Sequence, residues 1–160
     1  MVQTRHFRNW IVTPQSARLL VHGDFDNSSR NSPFSILAAT ISHGFKISPK
    51  LISLIFFCDQ HLLSEEYHGG DTMICSLIEQ LQRQYLYVTI SPGPNTSMRK
   101  LDSANVRQLC SLFVYLVRQL PPHMTVFCLI DGINEYEREE YIHGMDDVVY
   151  ALLKLVDERQ

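Results

Sequence analysis

Long apolar runs are missing from this 160-residue chain. The longest, "LISLIFFC" at 51–58, is far too short to cross a bilayer. The basic start, with Arg5, His6 and Arg8, has no apolar stretch behind it that would make a signal peptide. Basic runs are missing as well. The net charge is −3 and no stripe of Lys or Arg exists, which argues against a nucleic-acid partner. Cysteine is scarce: Cys58, Cys75, Cys110 and Cys128 show no paired spacing such as C-x-x-C. They read as reduced thiols of a cytoplasmic protein, three of them within apolar runs or helix faces. Cys58 and His61 form a lone C-x-x-H with His68 nearby, short of the three or four convergent ligands that zinc needs. A low charged fraction (19%) beside 45% apolar residues leaves a globular chain, long enough to bury the core of one domain.

What is present alternates. "ARLLVHG" (17–23), "LISLIFFC" (51–58) and "MTVFCLI" (124–130) read as buried strands. "LYVTI" (86–90) reads as a short strand or a frayed extension of the helix before it. Pro33 opens a helical stretch, "PFSILAATISHGF". Residues 68–85 place Met73, Ile74, Leu77, Ile78 and Leu81 on one helical face, with Asp71 as N-cap. Residues 101–120 do the same with Val106, Leu109, Phe113, Leu116 and Leu120, capped by Asp102 or Ser103. Residues 139–160 are helical despite Gly144. Strands alternating with helices predict an α/β fold with a mostly parallel sheet.

The stretch "VFCLIDGINEYE" (126–137) carries the chemistry. A buried strand that releases Asp131 at its carboxyl end sets a carboxylate where ligands of open α/β sheets bind, suited to holding magnesium. Gly132 lets the backbone turn sharply, and Glu135 stands where a carboxylate orients an attacking water. Read plainly, the same residues are a strand, an acidic turn and a helix start, with Glu137, Glu139 and Glu140 solvated.

"LIDGINE" resembles the Walker B segment of NACHT-type STAND P-loop NTPases. The chain is more closely similar to nephrocystin-like NACHT domains, common in fungal proteins, through "FRNWIVTPQSARLLVHG", "FFCDQH", "MICSLIEQLQRQ" and "VFCLIDGINEYE" in the same order. The resemblance implies a P-loop NTPase-like three-layer sandwich. It makes residues 1–160 a single partial domain, with a Trp-containing N-terminal segment at 1–17, a phosphate loop at 23–30 and the Walker B-like segment at 126–135. It implies Asp131 as the magnesium ligand and Glu135 as the catalytic glutamate. Asn134 replaces an aspartate common in the family, and Trp10 either covers a nucleotide base or anchors the N-terminal segment to the sheet.

The phosphate loop fails its own requirements. A P-loop needs Gly, four residues, Gly, Lys and then Ser or Thr. Aligned on Gly23, the chain reads "GDFDNSSR": Ser28 replaces the second glycine, Ser29 the lysine and Arg30 the hydroxyl. Asp24 and Asp26 sit in the curl. A carboxylate about 5 Å from a phosphate charge is repelled by roughly 3 kcal/mol at an effective dielectric near 20. That is roughly a hundredfold in affinity. The expectation is a degenerate domain that interacts with proteins or is the remnant of a signalling switch, without cofactor or catalysis. Two alternatives are a working switch that binds Mg-ATP or Mg-GTP, and an unrelated small α/β interaction module. The family also has a core strand after the final helix. Without it, the 17–23 strand pairs directly with the 124–130 strand, or a gap exposes backbone and apolar surface.

Overall fold

The computed structural model describes residues 5–23, 32–61, 69–85 and 105–158. The expected strand at 86–90 and the caps Asp102 and Ser103 lie outside them. Seven elements follow in order: α1 (Arg5–Val12), α2 (Pro33–Phe45), β1 (Leu51–Phe57), α3 (Gly69–Gln84), α4 (Val106–Arg118), β2 (Thr125–Asp131) and α5 (Glu139–Asp157). The α/β class and the parallel pairing hold. β1 and β2 run parallel in register from Leu51↔Thr125 to Phe57↔Asp131.

The helical periodicities act as their spacing predicts. Met73, Ile74, Leu77, Ile78 and Leu81 of α3 and Leu109, Phe113 and Leu116 of α4 are all buried. They share one core with Ile52, Leu54 and Phe56 of β1 and Val148 of α5. The opposite face of β1 meets α2, where the Ser53 hydroxyl donates to Ser42 Oγ at 2.9 Å in a buried pair. The start of α2 is as expected, and those of α4 and α3 differ. Ser32 caps α2 by accepting from the Ser35 N–H at 3.0 Å, with Pro33 in the first turn. α4 is capped by Asn105, whose Oδ1 accepts from Arg107 N at 2.7 Å. α3 begins at Gly69, so Asp71 lies inside its first turn and accepts from Thr72 N.

That early start has a packing reason. A Cβ on Gly70 would lie 2.5 Å from the carbonyl carbon of Gly144 and 2.8 Å from Met145 N. The first turn of α3 therefore touches the α5 backbone directly, an approach only glycine permits. Gly144 answers with φ +91°, a break in helical geometry inside α5.

Residues 17–23 are not a strand. Leu20 is 84% exposed and Val21 49%. A strand needs a neighbour to satisfy its backbone, and among the described residues β2 pairs with β1 alone. The direct pairing of 17–23 with β2 is therefore not formed. The segment is tied down instead through Trp10, whose indole N–H donates to Ala17 O at 3.0 Å. Trp10 packs edge-on against Phe127, and Phe127 stacks on Phe45. The tryptophan is an anchor of the N-terminal segment to the sheet.

The two outer edges of the sheet are treated differently. On β1, Gln80 Oε1 accepts from Ile55 N and its Nε2 donates to Ile55 O, at 2.9 and 2.8 Å. Gln84 repeats this on Ser53, at 3.0 and 2.7 Å. Two side-chain amides, one helical turn apart on α3, stand in for a neighbouring strand. β2 has no such cover among the described residues, and none of its residues is fully buried although five in a row are apolar.

Candidate functional site

Parallel register brings the carboxyl ends of both strands together, since Asp131 lies across from Phe57. Beyond β1 the chain makes a short 3-10 turn, Cys58–Gln60; beyond β2 it makes another, Ile133–Glu137. Gly132 links the second turn to its strand at φ +71°, the left-handed conformation expected of it. Asp59, Asp131 and Glu135 meet there.

Asp131 is held by α2. The Ser35 hydroxyl donates to Asp131 Oδ2 at 2.5 Å. Ser35 is buried and lies in the first turn of α2, beside the capping Ser32 hydroxyl at 2.9 Å. Neither Ser35 nor Asp59 was foreseen from sequence as part of the site. Asp59 could have been found from parallel pairing, because it lies two residues beyond β1, level with the start of the turn that follows Gly132 beyond β2. Ser35 carries no local signal beyond a serine shortly after an N-cap.

The electrostatics are those of crowded carboxylates. Burial, with Asp131 and more weakly Glu135 alongside, raises the Asp59 carboxyl above its ordinary value, against the backbone N–H groups of Asp59 and Gln60 that lower it. Asp59 Oδ1 is buried without a hydrogen-bond partner among the described residues. Burial and the same three carboxylates push the Cys58 thiol to about 12. Glu135 is turned toward protein partners: Arg138 Nη2 donates to its Oε2 at 2.7 Å, and Asn134 Nδ2 to its Oε1 at 3.3 Å. Below the site, Tyr136 is buried and donates its hydroxyl to His61 O at 3.1 Å, while His61 stacks on Phe56.

The structure thus brings Asp131 and Glu135 to one edge of the sheet. Gly23 ends a described stretch, and Ser28, Ser29 and Arg30 lie outside the described residues. The carboxylates are close enough to repel one another, yet among the described residues no group of three or more His, Cys, Asp or Glu side chains is arranged to hold a metal ion. Cys58 and His61 fall under the same statement. No helix among the described residues is long and apolar enough to cross a membrane.

The chain is an α/β domain with a two-stranded parallel sheet and polar groups gathered beyond the carboxyl ends of its strands. Residues 1–159 match the family model Nephrocystin 3, N-terminal, and the chain belongs to that family. No curated protein and no solved structure matches it.

Proposed function

We propose that this protein is a degenerate NACHT/STAND-like domain whose nucleotide site has lost its phosphate-binding half, and that it works through protein contacts rather than catalysis. The observation that carries this reading is the bond from Ser35 to Asp131. In a P-loop site the hydroxyl of the Lys-Ser/Thr pair and the Walker B carboxylate share one magnesium ion. Counting the P-loop pattern back from Ser35 puts Phe34 at the lysine, Pro33 at the second glycine and Ser28 at the first. This register is an alternative to the one anchored on Gly23, Ser28, Ser29 and Arg30. It is poorer still in phosphate chemistry: proline offers no N–H, phenylalanine offers no charge, and the nearby carboxylates repel phosphate.

The metal side fits better than the phosphate side. Asp131 and Ser35 are oxygen ligands of the kind magnesium takes, and Glu135 is the carboxylate that a working switch would use on water. That pair is the one feature favouring the second reading, a switch that binds Mg-ATP or Mg-GTP. Calorimetric titration of the full chain with either nucleotide and magnesium separates the two. The degenerate site gives no micromolar binding. Micromolar affinity that disappears in Asp131→Ala establishes the switch instead.

A further inference from the structure

The oxygens at the carboxyl edge of the sheet already have donors from within the chain. A serine hydroxyl carries one hydrogen and two lone pairs. Ser35 gives its hydrogen to Asp131 Oδ2 at 2.5 Å. In the 2.9 Å pair with Ser32 it is therefore the acceptor, and Ser32 donates. Ser32 in turn accepts from the Ser35 N–H, which fixes its hydroxyl against the first turn of α2. Glu135 is served from its own turn. Arg138 Nη2 donates to its Oε2 at 2.7 Å and Asn134 Nδ2 to its Oε1 at 3.3 Å, and the glutamate side chain is only 18% exposed. An aspartate at 134 has no hydrogen to give and adds a charge, so the amide turns a repulsion into a bond.

On the reading of this site as degenerate, we propose that Ser32, Asn134 and Arg138 are resident donors that take the places of a metal ion and its water. The edge then keeps its shape without a cation: its phosphate half is lost and its metal half is closed from inside. The chemistry favours closure over entry. Magnesium sheds its water reluctantly and demands a near-octahedral set of oxygens. Here Ser35 is buried with one lone pair taken, and both oxygens of Glu135 are taken. Among the described residues no three His, Cys, Asp or Glu side chains are arranged for a metal. Arg138 also sets a positive charge beside Glu135, in a cluster where Asp59, Asp131 and Glu135 repel one another. A switch changes shape when its ion leaves. An arginine joined to the backbone does not leave, so this edge presents one constant surface to a partner.

Magnesium alone, without nucleotide, supplies the test. Asn134 and Arg138 are exposed and outside the core, so substituting them spares the packing. Thermal melts of the full chain are taken in EDTA and in magnesium chloride, with ionic strength matched by sodium chloride. The parent chain is expected to melt at the same temperature in both. Asn134→Asp with Arg138→Ala removes both donors to Glu135 and adds a carboxylate. Its midpoint in EDTA is expected to fall by about 2–6 °C, and magnesium to restore part of that loss. Ser32→Gly keeps an acceptable N-cap without the hydroxyl, and is expected to show a smaller fall with the same response to magnesium. Arg138→Lys keeps the charge and is expected to stay indifferent to magnesium. Adding Asp131→Asn to the opened variant is expected to abolish its response. A parent chain stabilised by magnesium alone overturns the proposal. So do opened variants that lose nothing in EDTA, or that lose equally in EDTA and in magnesium, since the contacts are then structural only. Micromolar nucleotide binding by a parent chain indifferent to magnesium alone overturns the degenerate reading instead, so the two failures are told apart.

Discussion

The Ser35 hydroxyl and the Asp131 carboxylate, 96 residues apart in sequence, lie 2.5 Å apart in a part-buried hydrogen bond between α2 and β2. This bond fixes the end of β2 to the start of α2 and gives Asp131 a donor in a cluster that otherwise offers it carboxylates. Ser35→Ala removes the donor and leaves the charge facing Asp59 and Glu135. A hydrogen bond to a charged group contributes about 1.5–3 kcal/mol, and urea denaturation of Ser35→Ala is expected to show a loss of that size. In an Asp131→Asn background the same substitution costs less, because the group left behind is neutral.

Asp59 makes acid stabilising at this site. Its carboxyl is raised above the ordinary value of 3.8 by burial and by Asp131, so the folded state holds its proton more tightly than the unfolded chain does. The contribution of this group is therefore full below the unfolded value and is lost as pH rises through the folded one. Asp59→Asn keeps an acceptor for the turn and removes the charge. Thermal melts are expected to show Asp59→Asn above the parent chain at neutral pH, with the difference closing below pH 3.8. A constant offset at both pH values would contradict this.

Thiol reactivity follows burial. Cys58 and Cys128 are pushed to about 12 and Cys110 to about 11, chiefly by burial, while Cys75 is exposed. The thiolate is the reactive form, so a thiol reagent at pH 8 meets almost none at the first three. Mass spectrometry of the native chain is expected to find Cys75 modified first and the others only on unfolding.

The sequence was most legible where periodicity is enforced by burial. The apolar stripes of α3 and α4 and the parallel pairing of two apolar strands needed only local pattern and the α/β rule. The site was half legible: Asp131, Gly132 and Glu135 announce themselves at the end of an apolar run, whereas Ser35 and Asp59 arrive through tertiary register. Residues 17–23 misled because apolar composition signals a strand only if a neighbour is present, and Leu20 here faces solvent. The glutamines of α3 looked like ordinary polar-face residues, since nothing local tells a solvated amide from one that caps a strand.

The contact between Gly70 and Gly144 leaves no room for a methyl group. An alanine at 70 would set its Cβ 2.5 Å from the Gly144 carbonyl carbon, a backbone atom that cannot rotate away. The first turn of α3 must then move off α5. Overpacking of this kind costs about 1–3 kcal/mol and sometimes more. Gly70→Ala is expected to lower the urea midpoint accordingly. Gly44→Ala, where a Cβ would meet nothing, serves as the control and is expected to change stability little.

The glutamine cover of β1 can be dissected one bond at a time. Gln80→Ala leaves both the N–H and the C=O of Ile55 without their partner, and Gln84→Ala does the same at Ser53. An unsatisfied backbone group in a part-buried position costs about 1–3 kcal/mol, so each substitution is expected to fall in that range by chemical denaturation. Gln80→Glu separates the two halves of the amide. A carboxylate still accepts from Ile55 N but has no hydrogen to give Ile55 O, and its charge repels that carbonyl. Its loss is expected to exceed zero at neutral pH and to shrink under acid, where the protonated carboxyl can again donate. The alanine pair also bares the β1 edge of the sheet, so its sedimentation profile is expected to extend to species larger than any the parent chain forms. Stability and mass unchanged in the double alanine variant would show that the amides merely rest on the strand.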